Sequence, residues 1–293
     1  MRILVTGAAG FIGGHLIGRL RRGHEVFALG KRVPPVGGHG GVSWVEQDLT
    51  ESLDYARLPR GVDVVVHLAQ SRFYKDFPEQ AGDIFAVNVD GTFKLLEYAR
   101  RAGAGRFILA STGGVYGYSY EKFVETDPVS PLNFYLSSKY ISELLVGNYQ
   151  QYFDTTVLRL FFVYGAGQKP TMLIPRLVRS VLAGEPVTLR GREGIHINPV
   201  HVGDVVSALE GALGLRGHHL INVAGPQVLS LREICRVIGQ HVGREPVFTA
   251  LDDQKSGYLI GDITKMEELL GGSGVPFREG VLELCREAVG PAG

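Results

Sequence analysis

Thr6-Gly7-Ala8-Ala9-Gly10-Phe11-Ile12-Gly13 decides the reading of this chain. Arg2 to Thr6 before it reads as a short buried strand, Gly7 to Gly10 as a turn, and Phe11 to Leu20 as an amphipathic helix closed by Arg21, Arg22 and Gly23. A glycine pattern between a strand and a helix is the setting of a dinucleotide fingerprint. Gly7 permits the sharp turn, Gly10 lets the backbone approach a pyrophosphate, and Gly13 allows close helix packing. Phe11 and Ile12 open the helix, whose N-terminus offers unpaired N–H groups and the positive end of a dipole. The plainer reading of the same residues is a structural glycine turn.

Outward from this stretch, short β-branched runs alternate with helical patterns. Ile3 to Thr6, Glu25 to Leu29, Val42 to Glu46, Val62 to Leu68, Arg106 to Ala110 and Thr155 to Leu160 are the strand candidates. Val62-Asp63-Val64-Val65-Val66 is nearly continuously apolar, as a strand covered by helices on both faces must be. The expected architecture is α/β, a Rossmann-type doubly wound parallel sheet with a smaller C-terminal substrate-binding region. The rhythm changes after Tyr164, where a helix is expected from Met172 to Leu182. A strand at His196 to Val202, a helix from Gly203 to Leu213 and a strand at Leu220 to Val223 could return the chain to the main sheet. Further helices are expected near Leu231 to Val242 and Val281 to Val289. The expected division is residues 1–166 with 196–223 as the dinucleotide-binding domain and 167–195 with 224–293 as the smaller region.

Among 293 residues, 30 Lys plus Arg balance 30 Asp plus Glu, so no global field draws in nucleic acid or an anionic membrane and the expected partner is a small molecule. Cys235 and Cys285 each sit in an apolar helical pattern and read as buried thiols of a cytoplasmic protein. The internal order of the N-terminal strand, turn and helix argues against a secretory signal, and no apolar run approaches a membrane span.

An NAD site usually places a carboxylate at the end of the second strand, to accept from the ribose hydroxyls. Gly30 stands there, followed by Lys31 and Arg32, and two cations beside a missing carboxylate suit the extra phosphate of NADP, with NAD the alternative. Asp48-Leu49, after the third strand, could face the adenine; equally, Asp48 caps a following helix.

Tyr135-Leu136-Ser137-Ser138-Lys139 opens a helix expected to run to Tyr152 and sets Tyr135 and Lys139 four apart on one face. An ammonium beside a phenol favours phenolate, which lowers the phenol pKa toward the range of a general acid or base. Lys139 can also hold the nicotinamide ribose. Ser111-Thr112-Gly113-Gly114 ends the fifth strand at the carboxyl edge of the sheet, where a hydroxyl from Ser111 or Thr112 can hold a substrate oxygen while Tyr135 moves its proton.

With these pieces together the chain resembles the extended short-chain dehydrogenases/reductases of the NAD-dependent epimerase/dehydratase family over nearly its whole length. The matching pieces are Gly7, Gly10 and Gly13; His67-Leu68-Ala69; Asn88-Val89-Asp90-Gly91-Thr92; Ser111-Thr112 through Val115-Tyr116-Gly117; Tyr135 to Lys139; Leu158-Arg159-Leu160; and Val200 to Val205. The resemblance implies Thr112 as the substrate-hydroxyl group, Tyr135 as acid/base and Lys139 as the ribose and pKa group. It sets Leu68, Ala69, Gln70 and Asn88 along the cofactor. Helices over Asp83 to Ala102 and Tyr135 to Tyr152 resemble those of the family's homodimer interface.

Three departures shape the expected activity. Members that dehydrate sugar nucleotides carry Asp-Glu after the threonine, where Gly113-Gly114 stand here, and members that combine 3,5-epimerisation with 4-reduction carry a cysteine in this loop. Members that grip a nucleotide diphosphate often have Asn at Phe162 and Arg at Ile197. Arg192, His196 or Lys255 could supply the missing charge, and Arg72 could touch substrate. His196 and His201, five apart, read as packing rather than a metal pair. The resemblance thus implies hydride transfer at a carbinol or ketone carbon of a sugar or sugar nucleotide, by a ketoreductase or an epimerase and not a 4,6-dehydratase. The rivals are a catalytically silent NAD(P)-binding sensor or scaffold and a reductase of a small non-nucleotide ketone.

Overall fold

The computed structural model describes residues 1–33, 40–252, 257–272 and 274–289. The chain divides into two compact units: Met1–Val115 with Val129–Arg159 and Val206–Ile221, and Tyr116–Pro128 with Leu160–Val205 and Asn222–Gly293.

The first unit is built on β1 (Arg2–Thr6), β2 (Glu25–Gly30), β3 (Val42–Glu46), β4 (Val64–His67), β5 (Arg106–Thr112), β6 (Asp154–Leu160) and β9 (His218–Val223). They form a seven-stranded sheet in the order β3-β2-β1-β4-β5-β6-β9. β1 pairs parallel with both β2 and β4, so the strand order reverses between β1 and β4. In a doubly wound sheet that reversal opens the ligand crevice at the carboxyl ends of the two strands. All four residues of β4 are buried, as its continuous apolar run demands. Helices α1 (Phe11–Leu20), α2 (Ala81–Phe85), α3 (Gly91–Arg101) and α4 (Phe134–Asn148) flank the sheet. Leu4, Val65, Leu95, Leu96, Phe107 and Leu109 form the centre of one core.

The helix expected over Asp83 to Ala102 is present, but a π-helical stretch, Ala86–Asp90, interrupts it. The Asn88 carbonyl at its middle accepts from the Thr92 hydroxyl at 2.5 Å and the Ser142 hydroxyl at 2.8 Å, which offsets the disturbed backbone ladder. α4 stops at Asn148 rather than Tyr152, where the Asn148 amide donates to the Leu144 carbonyl at 2.8 Å. No helix follows Asp48: its carboxylate accepts from Thr50 N–H at 3.0 Å and closes a local turn.

The second unit has its own core, where α5 (Leu173–Ala183), α7 (Leu231–Val242) and α9 (Phe277–Val289) bury Ile174, Leu177, Ile234, Ile238, Val281 and Leu284. Here β7 (Val187–Arg190) pairs parallel with β11 (Phe248–Asp252). β8 is only His196–Ile197, flanked by β10 (Leu229–Ser230) and β12 (Tyr258–Leu259). The strand expected to reach Val202 ends early because Pro199 has no N–H and because the Asn198 side chain pairs with the Gly261 backbone at 2.8 and 3.1 Å. Helix α6 (Val202–Ala212) follows directly. Among the described residues no helix is long and apolar enough to cross a membrane.

Candidate active site

The glycine loop is as tight as the sequence predicts. Gly7 has φ +67°, and a Cβ there would lie 2.7 Å from the Ala69 nitrogen that follows β4. A Cβ on Gly13 would lie 2.2 Å from the Gly7 carbonyl oxygen. Both contacts are shorter than any packed carbon tolerates, so this backbone exists only with glycine at both places. No side chain caps the N-terminus of α1, whose cap residue is Gly10. Bare N–H groups at a helix start, beside glycines at the switch point, fit the pyrophosphate of a dinucleotide. Phe11 stands edge-on to His15, with ring centroids 5.5 Å apart.

Two of the expected cofactor contacts bind each other. Lys31 Nζ lies 2.5 Å from Asp48 Oδ2 at the ends of β2 and β3. Burial works against ionisation of Asp48, yet its bonds from Lys31 and Thr50 hold its carboxyl below the usual range. Arg32 is exposed. The Leu49 side chain is buried in the core, and Lys94 Nζ donates to its carbonyl at 3.2 Å.

After β4, Leu68 N–H and Ala69 N–H both turn back to Thr6, to its carbonyl and its hydroxyl, each at 3.3 Å. Asn88 is buried, its Oδ1 accepts from Ser71 N–H at 2.9 Å, and its amide donates to the Ser138 hydroxyl at 2.8 Å. Both halves of its amide thus brace the loop after β4 against α4.

The Asn133 side chain accepts from Leu136 N–H at 2.9 Å and starts α4 one residue before Tyr135. The Tyr135 hydroxyl donates to Gln70 Oε1 at 2.8 Å, and its ring packs against Tyr74 at 5.3 Å. One turn later Lys139 is buried, its Nζ donating to the Ala110 carbonyl of β5 at 2.6 Å. Two residues along β5, the Thr112 hydroxyl oxygen accepts from Gly114 N–H at 3.2 Å, which leaves its proton free for another acceptor. A Cβ at Gly114 would lie 2.8 Å from Leu136 and 3.4 Å from the Thr112 hydroxyl, so the loop carrying Thr112 packs on the turn that carries Tyr135.

Two expectations are corrected here. The Tyr135 phenol is not lowered by Lys139: burial raises it, with Tyr74 adding to the rise. The ammonium points at the β5 backbone, and burial brings it down to about 8 while Glu143 opposes the fall. Ser111, expected to share the substrate oxygen with Thr112, is buried and gives its proton to the Glu143 carboxylate, so Thr112 is the hydroxyl left at the strand end.

The remaining expected substrate contacts fall in both units. Arg72 is exposed, its guanidinium 4.5 Å above the Phe73 ring. In the second unit Phe162 has φ +43°, a left-handed conformation that is strained for an aromatic residue. Ile197 is wholly buried. The Arg192 side chain projects with 92% of its surface exposed, 3.7 Å from Glu193. The His196 ring packs on Tyr258 at 4.8 Å, and its Nδ1 is buried without a hydrogen-bond partner. Lys255 lies outside the described residues.

Glu143 is absent from the pattern that the sequence offers, and His67 enters it only as part of the stretch after the fourth strand, with no role. Glu143 had a signal, being one further turn along the helix face of Tyr135 and Lys139. The bonds that His67 makes to Thr6 at 2.7 Å and Thr92 at 3.0 Å had no signal, because both partners lie on other elements.

Residues 3–224 match the family described as NAD dependent epimerase/dehydratase family. The Bacillus subtilis protein described as uncharacterized UDP-glucose epimerase YtcB is 31% identical, the match covering 92% of each chain. Among solved structures, MoeE5 in complex with UDP-glucose and NAD superposes with a TM-score of 0.85 at 31% identity, over 99% of this chain and 98% of that one. UDP-glucuronic acid 4-epimerase from Bacillus cereus in complex with NAD gives a TM-score of 0.85 at 26% identity, over 97% and 94%.

Proposed function

Because the chain belongs to the NAD dependent epimerase/dehydratase family and is thereby an NAD(P)-dependent enzyme, we propose that it inverts one carbinol carbon of a sugar nucleotide by oxidising and re-reducing it. The observation that carries this reading is the meeting of α4 with the end of β5, where Tyr135, Lys139 and Thr112 fall within one helical turn and two strand residues of each other. The epimerases among the similar proteins support the reaction type.

Bound NAD(P) supplies the acceptor and donor of the hydride. Thr112 donates to the substrate oxygen. As the phenolate, its own proton having passed to solvent, Tyr135 takes the hydroxyl proton as the carbon is oxidised; the phenol so formed returns that proton as the carbon is reduced on the other face. The raised phenol is neutral at physiological pH, which suits the proton-donating half. The proton-accepting half relies on the Lys139 charge to steady the phenolate once the Tyr135 hydroxyl has left Gln70. Gly113-Gly114 provide no side-chain acid or base, which favours epimerisation over 4,6-dehydration. Lys31 and Arg32 favour NADP over NAD. Residues 1–166 with 196–223 would hold the cofactor, and 167–195 with 224–293 the substrate. Exposed Phe85, Phe93, Ile141 and Leu144 on α2, α3 and α4 support a homodimer through these helices. The buried, unpaired Cys235 and Cys285 suit a cytoplasmic location.

The test is Tyr135→Phe, which keeps the ring and removes the proton. With UDP-glucose and NAD, or NADP, product stereochemistry and nicotinamide absorbance are followed together, and the expected loss of turnover is about 100-fold to 10,000-fold. Unchanged turnover removes Tyr135 from its role. An epimerase returns the cofactor unchanged, whereas net absorbance change marks a ketoreductase. Binding without chemistry across sugar nucleotides, free sugars and small ketones marks a sensor.

A second reading is a substrate without a diphosphate. It is favoured by Ile197, wholly buried where diphosphate-gripping members often carry Arg, and by the aromatic Phe162 where they often carry Asn. Turnover of a free sugar or small ketone, but not of UDP-glucose, would select it.

A further inference from the structure

One turn beyond Lys139 on α4, the Glu143 carboxylate is buried where three elements meet. Arg159 of β6 grips it from Nε at 3.1 and 3.2 Å and from its terminal nitrogen at 2.6 Å. Ser111 of β5 donates its hydroxyl to the same carboxylate. Ser111 adjoins Ala110, whose carbonyl takes the Lys139 ammonium at 2.6 Å. Four residues apart on one helix, the side chains of Lys139 and Glu143 are neighbours.

A buried ion pair is weak evidence for stability, since two apolar side chains of similar size often serve the fold as well. This one adjoins the lysine assigned to the reaction, and its negative member is the nearer in sequence and on the same helix face. We propose that Glu143 is a positioning residue: anchored by Arg159 and Ser111, its carboxylate keeps Lys139 charged and holds the β5 carbonyl of Ala110 in line with the ammonium. The proposal rests on the reaction reading of Tyr135 and Lys139 given above.

The surroundings of Lys139 leave few other groups for this task. Burial disfavours its charge, and Glu143 opposes that effect. His67 on β4 is held neutral by burial, with its pKa near 3. Tyr135, one turn earlier, is a neutral phenol raised by its own burial. The groups presented by β5 are the Ala110 carbonyl and the Ser111 hydroxyl, both neutral. On β6, Arg159 stands against Glu143 and neutralises part of its field.

A titration tests this without needing the natural substrate. Lysines are labelled with carbon-13 at Cε, the Lys139 signal is assigned by its loss in Lys139→Met, and its shift is followed against pH. Glu143→Gln removes the attraction and leaves Arg159 uncompensated, so Lys139 should titrate at least about one pH unit lower than in the wild type. Should that variant fail to fold, Glu143→Met with Arg159→Met exchanges the pair for apolar side chains, and a drop of about half a unit is expected. Glu143→Asp keeps the charge and should restore most of the wild-type value. Folded charge-free variants in which Lys139 titrates as in the wild type overturn the proposal. If the titration moves but Tyr135→Phe turns over normally, the reaction reading fails while the coupling of Glu143 to Lys139 stands.

Discussion

Thr6 and His67 stand 61 residues apart in the chain and 2.7 Å apart in space, hydroxyl oxygen to Nδ1, at the ends of the two strands between which the sheet reverses. The direction of that bond follows from its neighbours. Thr92 gives its one proton to the Asn88 carbonyl, so its oxygen must accept from His67 Nε2 at 3.0 Å. A neutral imidazole with its proton on Nε2 has an acceptor at Nδ1, and Thr6 therefore donates. A single tautomer thus links the strand before the glycine loop to the π-helical stretch that braces α4.

Burial, with a smaller contribution from Lys139, brings His67 from its ordinary 6.5 down to about 3. Between these values the unfolded chain binds a proton that the folded chain refuses, so stability falls as pH drops below 6.5. The expected slope is ~1 kcal/mol per pH unit. Urea unfolding from pH 7 to pH 4 should show this slope in the wild type and a shallower one in His67→Gln. Nitrogen-15 NMR should find the Nε2 tautomer throughout the folded range.

The glycine loop supports a paired prediction. Gly7→Ala forces a Cβ to 2.7 Å from the Ala69 nitrogen at φ +67° and should cost about 2 kcal/mol or more, with loss of dinucleotide binding. Gly14, one position past Gly13 on α1, has nothing within 4 Å of a Cβ. Gly14→Ala should instead stabilise by about 0.5–1 kcal/mol through helix propensity, with binding intact. Thermal melts and a nicotinamide binding curve on the two variants check both halves, and equal behaviour would refute the assigned backbone role of Gly7.

Cofactor choice rests on the pair at the ends of β2 and β3. If Lys31 and Arg32 meet a 2′-phosphate, replacing both by Ala should weaken NADPH binding about 10-fold to 100-fold and leave NADH binding within a factor of about two. Asp48→Asn releases Lys31 from its partner at 2.5 Å and should move preference further toward NADPH. Fluorescence titration of both nucleotides reads these outcomes, and equal losses for NADH and NADPH would reassign the two cations to a general phosphate contact.

The strand-turn-helix opening, the alternation of apolar strands with helices and the Tyr135–Lys139 spacing were all legible in the residues, because each is local. Periodicity decides which face of a strand or helix is buried, and glycine is dictated by the backbone path a few residues away. The early end of β8 at Ile197 was not legible, since it depends on Asn198 meeting Gly261, 63 residues further on. Nor was the turn at Asp48, which takes Lys31 as its partner from another strand.

The functional groups divide in the same way. Sequence alone set Tyr135 and Lys139 one helix turn apart on the same face. Only the tertiary structure decided which of the groups face outward and in what charge state: Ser111 turned inward to Glu143, Asn88 buried as a brace, the Tyr135 phenol raised and Lys139 lowered by burial. Burial and hydrogen-bond partners are properties of what packs around a group, and those neighbours come from strands and helices far away in the chain.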